Sequence, residues 1–353
     1  RRTSVEAALA AVREAAERGV RALVLPELSL CGYTAADLLH NRTLLHACEA
    51  ALVHILDETR ELFDCLYPSV FPLRLPRIST TAPPCAALGE LLGLTAKKHL
   101  PNYGEFYERR WFAPAPADPV WVEFAGQGPV PLGSGLVYRC CDEGAEDMVL
   151  GVEVCEDLWV PAPPSTEMAL AGATVILNPS ASDEIIGKAD YRRSLISNQS
   201  ARLYCAYAYA DASEGESTTD MVFAGENLVY ENGSKLAATK LLTCDMAIAD
   251  VDLDRLVAER VARRRGRAPT MRRRPRPLSF RLRACWPKNL SCAMPAISTA
   301  FSRARPLCRP TTATWPSAAR RSSVCRLRAS RPASPTQVPR LRSSAFRAAW
   351  TPR

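Results

Sequence analysis

The chain predicts an α/β layered domain followed by a long basic tail, and three observations carry that expectation. Through residue 260, apolar runs of strand length alternate with stretches of helical period. The connections between them are short. From residue 261 onward neither period persists, and about two dozen Lys and Arg stand without one Asp or Glu.

Residues 4–19 open the pattern, with a Ser at the N-cap position, Ala, Val and Leu at helical spacing, and a Gly where the helix stops. Residues 20–25 then read as a buried strand that ends at Pro26 and presents Glu27. Residues 44–61 are the next helix. Residues 65–84 fit poorly, because several prolines fall where ladder donors are needed. They read as an irregular insertion or a short out-of-frame stretch, and the second is preferred. Regular patterning resumes at 85–94. Further on, 149–154 is a strand, 165–171 a helix, 173–178 a strand running into N-P-S-A-S, 190–203 a helix and 204–210 a strand.

Composition excludes several classes. The formal net charge of +8 belongs entirely to the tail, so the body is net acidic and its fold gives no reason to expect nucleic acid as a partner. Thirteen irregularly spaced cysteines without a C-x-x-C pair or a secretory apolar core point to a reducing compartment, with cytoplasmic as the default. Four ungrouped histidines give no metal site. No apolar stretch has membrane-spanning length.

Three segments each end an apolar or extended run on a group with chemistry. M-V-L-G-V-E-V-C-E-D-L-W (148–159) places Cys155 between acids, A-L-V-L-P-E-L-S-L-C-G-Y (22–33) delivers Glu27, and L-T-A-K-K-H-L-P-N-Y-G-E-F-Y-E-R-R (94–110) delivers Lys97 or Lys98. A carboxylate base, an ammonium and a thiol together are what acyl transfer from an amide requires. Taken singly, each has a plainer reading as a core cysteine, a solvated carboxylate or a basic surface run.

Together, P-E-L-x-x-x-G-Y, K-x-x-L-P-x-Y-x-E-F-Y-E-x-R and G-V-x-x-C-E-D-x-W resemble the motifs of the carbon-nitrogen hydrolase (nitrilase) superfamily. More narrowly, they resemble the glutaminase domain of glutamine-dependent NAD synthetases, over residues 3–260. The resemblance implies a nitrilase-like α-β-β-α sandwich over 1–260; by its composition, 261–353 reads as a disordered, Arg/Pro-rich and frameshifted tail. It implies Cys155 as nucleophile, Glu27 as general base and Lys97, counted back from Leu100-Pro101, as oxyanion stabiliser. Tyr103, Phe106, Glu156, Ser182 and Lys188 fall at positions that bind the substrate, and either Glu105 or Glu108 supports Glu27 and Lys97.

The implied reaction is hydrolysis of L-glutamine to glutamate and ammonia through a Cys155 thioester, with no metal or cofactor. ATP and magnesium would belong to a synthetase domain whose S-G-G-x-D-S phosphate loop is absent from these 353 residues. A homo-oligomer is implied for the intact enzymes of the family. So is a strand ahead of the first helix, which the sequence does not contain and whose absence predicts a hole in one sheet. The competing reading is a stand-alone amidase, nitrilase or carbamoylase of the same superfamily.

Overall fold

The computed structural model describes residues 2–60, 67–68, 71–75, 78–140, 145–217, 221–264 and 279–281. Helix α1 (Arg2–Glu17) leads through an extended segment and a 3-10 helix (Tyr33–His40) to α2 (Arg42–Glu58). The strands β1 (Tyr67–Pro68), β2 (Phe71–Leu75), β3 (Ile78–Ala82), β4 (Pro84–Ala87) and β5 (Glu90–Thr95) follow, and then the short α3 (Glu108–Trp111). Next come β6 (Val120–Glu123), β7 (Pro129–Gly133), β8 (Val137–Arg139) and β9 (Val149–Val152), a 3-10 turn (Cys155–Leu158), α4 (Pro164–Leu170) and β10 (Val175–Ser180). The described part ends with α5 (Lys188–Leu203), β11 (Ala206–Asp211), β12 (Leu228–Glu231), β13 (Ser234–Ala238), α6 (Leu253–Arg264) and β14 (Ser279–Arg281).

Two sheets form the centre. One has the strand order β1-β4-β5-β7-β6 and the other β13-β12-β11-β10-β9-β8-β14. In the second, β9, β10 and β11 are parallel, and their ends carry functional residues. Strand β10 shows why the layers stack as they do. Val175 and Leu177 join a core shared with α1, α2 and the first sheet, whereas Ile176 joins one with Met168 of α4 and Ile196 of α5. Alternate side chains point to opposite faces, so a strand that is buried at every position, as β10 is, must be covered on both. The outcome is the α-β-β-α sandwich.

Two expectations need correction. Residues 20–25 lie extended and largely buried, but they are not a strand of either sheet. Their neighbour is a cavity of about 50 Å³ lined by Val20, Ala22 and Val24 on one side and by Ala208, Val229 and Ala247 among others on the opposite side. Among the described residues their pairing is limited to a single bridge at Ala22, which is too little for a strand.

The proline-rich stretch, in turn, does hold strands. β2 and β3 form an antiparallel two-stranded ribbon, with Pro72 opposite Thr81. Pro68 lies in β1, the edge of the first sheet, and Pro84 is the first residue of β4. Each sits where a missing N–H breaks no central ladder.

The domain boundary drawn at 260 falls inside α6, which continues to Arg264. Residues 279–281 pair in parallel with β8. The remainder of the expected tail lies outside the described residues.

Candidate active site

Each candidate side chain is delivered where a run of extended backbone gives way to a turn, and each turn is pinned. The N–H of Glu27 donates to the Ser180 carbonyl at 3.1 Å, and Leu28 beside it adopts φ +54°. Lys97 follows β5, with its N–H on the Thr81 carbonyl at 3.1 Å and its own carbonyl accepting from Ala115 at 2.8 Å. Cys155 follows β9 with φ +45°, and its N–H donates to Asn178 Oδ1 at 3.1 Å. A left-handed backbone at a residue other than Gly costs of order 1 kcal/mol and persists only where its surroundings hold it.

Lys97 Nζ donates to Glu27 Oε1 at 2.9 Å and to Glu108 Oε1 at 2.7 Å, and all three side chains are buried. Tyr33 Oη donates to the same Glu108 oxygen at 2.7 Å. Of the two lysines first considered, Lys97 is therefore the inward one, and Lys98 is exposed. Of the two supporting glutamates, Glu108 is the buried partner and Glu105 lies on the surface.

Burial pushes the Glu27 carboxyl up, against the opposing pull of Lys97 and with a further push from Glu108. Burial works to lower Lys97, but Glu108 and Glu27 outweigh it and hold the ammonium charged. Burial also raises the Cys155 thiol, which Lys97 counteracts and Glu27 reinforces. The resting sulfur is thus a neutral thiol. Glu27 Oε2 has no conventional hydrogen-bond partner, and the Cys155 side chain acts on this carboxylate as a weak donor. A buried carboxyl group thus stands beside the thiol.

Asp157 ties the cysteine turn to the lysine loop. Its Oδ1 accepts the His99 N–H at 2.8 Å, and its Oδ2 accepts the Val154 N–H at 3.2 Å and the Lys98 N–H at 3.3 Å. The sequence reading gave Asp157 no role, although it stands inside C-E-D, because its partners are backbone groups of another loop. Asn178 and Glu153 likewise carry no motif signal, since their partners, the Cys155 and Ser165 N–H groups and Tyr207 Oη, are brought to them by the fold.

The residues expected to hold substrate cluster at the rim in linked pairs. Tyr103 Oη donates to Glu156 Oε2 at 2.8 Å, and Phe106 meets the Tyr103 and Tyr33 rings edge-on at 5.9 and 6.3 Å. Lys188 Nζ is paired with Asp183 and lies over the rings of Phe106 and Trp159, at 5.8 and 5.2 Å. Ser182 is buried, with its N–H on Asp211 Oδ1 at 2.7 Å. Among the described residues, no group of three or more His, Cys, Asp or Glu is placed to hold a metal ion. Nor is any helix among them long and apolar enough to cross a membrane.

The carbon-nitrogen hydrolase family profile matches residues 2–260. A glutamine-dependent NAD(+) synthetase of Mycobacterium tuberculosis (strain ATCC 25618 / H37Rv) is 42% identical over 246 residues, which are 69% of this chain and 36% of that protein. One from Thermotoga maritima is 30% identical over 253 residues, 71% of this chain and 39% of that protein. The chain thus spans a little over a third of the length of these relatives.

The crystal structure of a glutamine-dependent NAD(+) synthetase from Cytophaga hutchinsonii superposes with a TM-score of 0.60 at 27% identity, covering 69% of this chain and 38% of that one. A nitrilase-superfamily amidase from Nesterenkonia AN1, a C145A mutant, shares the fold with a TM-score of 0.55 at 21% identity, over 75% of this chain and 90% of that one. With a family profile that matches residues 2–260, the chain belongs to the carbon-nitrogen hydrolase family.

Proposed function

We propose that this chain is a glutamine amidohydrolase that releases ammonia for amide formation in NAD synthesis, and that Glu27, Lys97 and Cys155 carry the reaction. The observation that supports this best is the buried Lys97 ammonium clamped between Glu27 and Glu108 beside the Cys155 thiol.

Glu27 takes the thiol proton as Sγ attacks the side-chain amide carbon. Two of the three Lys97 donors are held by carboxylates, which leaves one for the oxyanion, joined by the Glu156 backbone N–H. Collapse breaks the C–N bond. Ammonia leaves with the proton returned by Glu27, and the γ-glutamyl thioester remains. Glu27 then deprotonates a water that attacks the thioester, glutamate departs, and the thiol regains its proton.

A rim with Glu156 and Asp183 on the acidic side and Lys188 on the basic side suits a zwitterionic amino-acid end, with Tyr103, Phe106 and Ser182 around it. The hydrolysis itself requires no cofactor.

The test is a glutamine-analogue diazoketone followed by peptide mapping, alongside assays on glutamine, simple nitriles and N-carbamoyl amino acids. Labelling of Cys155, loss of turnover in Cys155→Ala and preference for glutamine are expected. Labelling confined to other cysteines would overturn the nucleophile assignment. Preference for a nitrile or a carbamoyl amino acid would replace the reading with that of a stand-alone superfamily enzyme.

A further inference from the structure

We infer that Glu153, Tyr207 and Asn178 form one hydrogen-bonded chain that positions the nucleophile, with Glu153 as its accepting end. The inference rests on the reading of Cys155 as nucleophile and assigns three positioning residues that touch no reacting atom.

The chain begins at the cysteine turn. The Cys155 N–H donates to Asn178 Oδ1 at 3.1 Å, where Ser180 Oγ also donates at 2.7 Å. Asn178 Nδ2 donates to Tyr207 Oη at 2.8 Å, and Tyr207 Oη donates to Glu153 Oε1 at 2.6 Å. The Ser165 N–H donates to Glu153 Oε2 at 2.7 Å. Every side chain in the series is buried.

Two backbone donors fix the direction of all these bonds. An N–H can only donate, so the Cys155 end requires the Asn178 oxygen, which turns its amide nitrogen toward Tyr207. The Tyr207 oxygen therefore accepts there, and its single proton must go elsewhere. At the far end the Ser165 N–H already requires an acceptor on Glu153. Glu153 consequently accepts at both oxygens, whereas an amide in its place would turn an N–H toward one of the two donors.

The geometry explains why such a series is present. Cys155 has φ +45° on a side chain that is not Gly, and the held N–H is that residue's own. Glu153 precedes the nucleophile by two positions and its N–H is bound to the Leu177 carbonyl at 3.1 Å, so the loop is fastened on both sides of Val154. Small errors in the placement of a nucleophile are costly, on the order of 100-fold for about 1 Å.

The experiment uses the full chain and two isosteric variants, Glu153→Gln and Tyr207→Phe, together with the double variant. Folding is followed by circular dichroism. Two readouts are taken, glutamine turnover and the rate at which iodoacetamide alkylates the Cys155 peptide in mass spectrometry. Each single variant is expected to lower kcat by about 10- to 100-fold with KM within about threefold, and to change the alkylation rate of Cys155 but not of Cys244. The double variant is expected to be no worse than the poorer single one, because one broken link already releases the chain.

Effects that multiply, a loss confined to KM, or an unchanged alkylation rate would overturn the inference, as would unfolding of both single variants, which would make the series a packing element. Alkylation does not depend on the substrate. If the unsubstituted protein leaves glutamine untouched while both variants still shift Cys155 alkylation, the glutaminase reading fails and the positioning chain stands.

Discussion

Lys97 sits where two buried carboxylates converge, and its removal should separate its roles in chemistry and in folding. Lys97→Met leaves Glu27 and Glu108 facing each other without a cation. Breaking a buried pair in this way typically costs about 3–5 kcal/mol, and losing an oxyanion donor about 100- to 1,000-fold in kcat. Both losses are expected, and the loss of stability should shrink at low pH as the Glu27 carboxyl, already raised by burial, protonates. Urea denaturation at pH 5 and pH 8 checks this; equal stability to the parent at pH 8 would mean that the ammonium does not compensate these carboxylates.

Burial also pushes Glu153 and Asp211 up to about 7, from ordinary values of 4.5 and 3.8. Between those ordinary values and pH 7 the unfolded chain has lost these protons while the folded one retains them. Unfolding then releases protons, so this contribution to stability falls as pH rises through the window and levels off above it. Each group contributes on the order of 3 kcal/mol. A thermal midpoint lower at pH 8 than at pH 5.5 is expected, with the difference reduced in Asp211→Asn. A midpoint that rises over this range would show both groups ionised in the fold.

Among the elements, Asp157 decides whether the end of β9 and the loop after β5 stay together, since it alone receives the N–H groups of Val154, Lys98 and His99. Asp157→Ala strands one buried and two part-buried donors, at up to about 1–3 kcal/mol apiece. A fall of at least 2 kcal/mol in urea-measured stability and of 10-fold or more in turnover is expected, and normal turnover would mean that the two loops hold their places independently.

The same scale shows what was legible in the sequence and what was not. Strands β9, β10 and β11 and helices α1, α2, α4 and α5 were readable within a few residues, because their apolar positions recur at one clear period. Residues 20–25 have the composition of a strand, but composition carries no ladder partner. The prolines of 68–84 concealed strands because the sequence does not reveal which strands are edges.

For the whole molecule, the packing of α6 carries across the boundary drawn at residue 260. Leu253 and Leu256 of α6 are buried, and Arg260 donates to the carbonyls of Ala173, Leu203 and Tyr204 at 2.6–3.0 Å. A chain ending at Arg264 should keep glutamine hydrolysis within a few-fold of the parent, whereas one ending at Asp252 should lose several kcal/mol of stability. Neither these nor the parent should carry out ATP-dependent amidation of the nicotinate dinucleotide to NAD, because the 353 residues contain no S-G-G-x-D-S loop. Comparable activity from the chain ending at Asp252 would place α6 outside the functional body.

The sequence by itself determined the family and the alternation that makes a two-sided sheet, and it named Glu27, Cys155 and one of two adjacent lysines as candidates, because motif order and hydrophobic period are properties of a linear string. The tertiary structure decided between Lys97 and Lys98 and between Glu105 and Glu108, and it joined Asp157, Asn178 and Tyr207 to the site. Those choices depend on which neighbours burial brings within hydrogen-bond distance across separate strands, and spacing along the chain does not encode that.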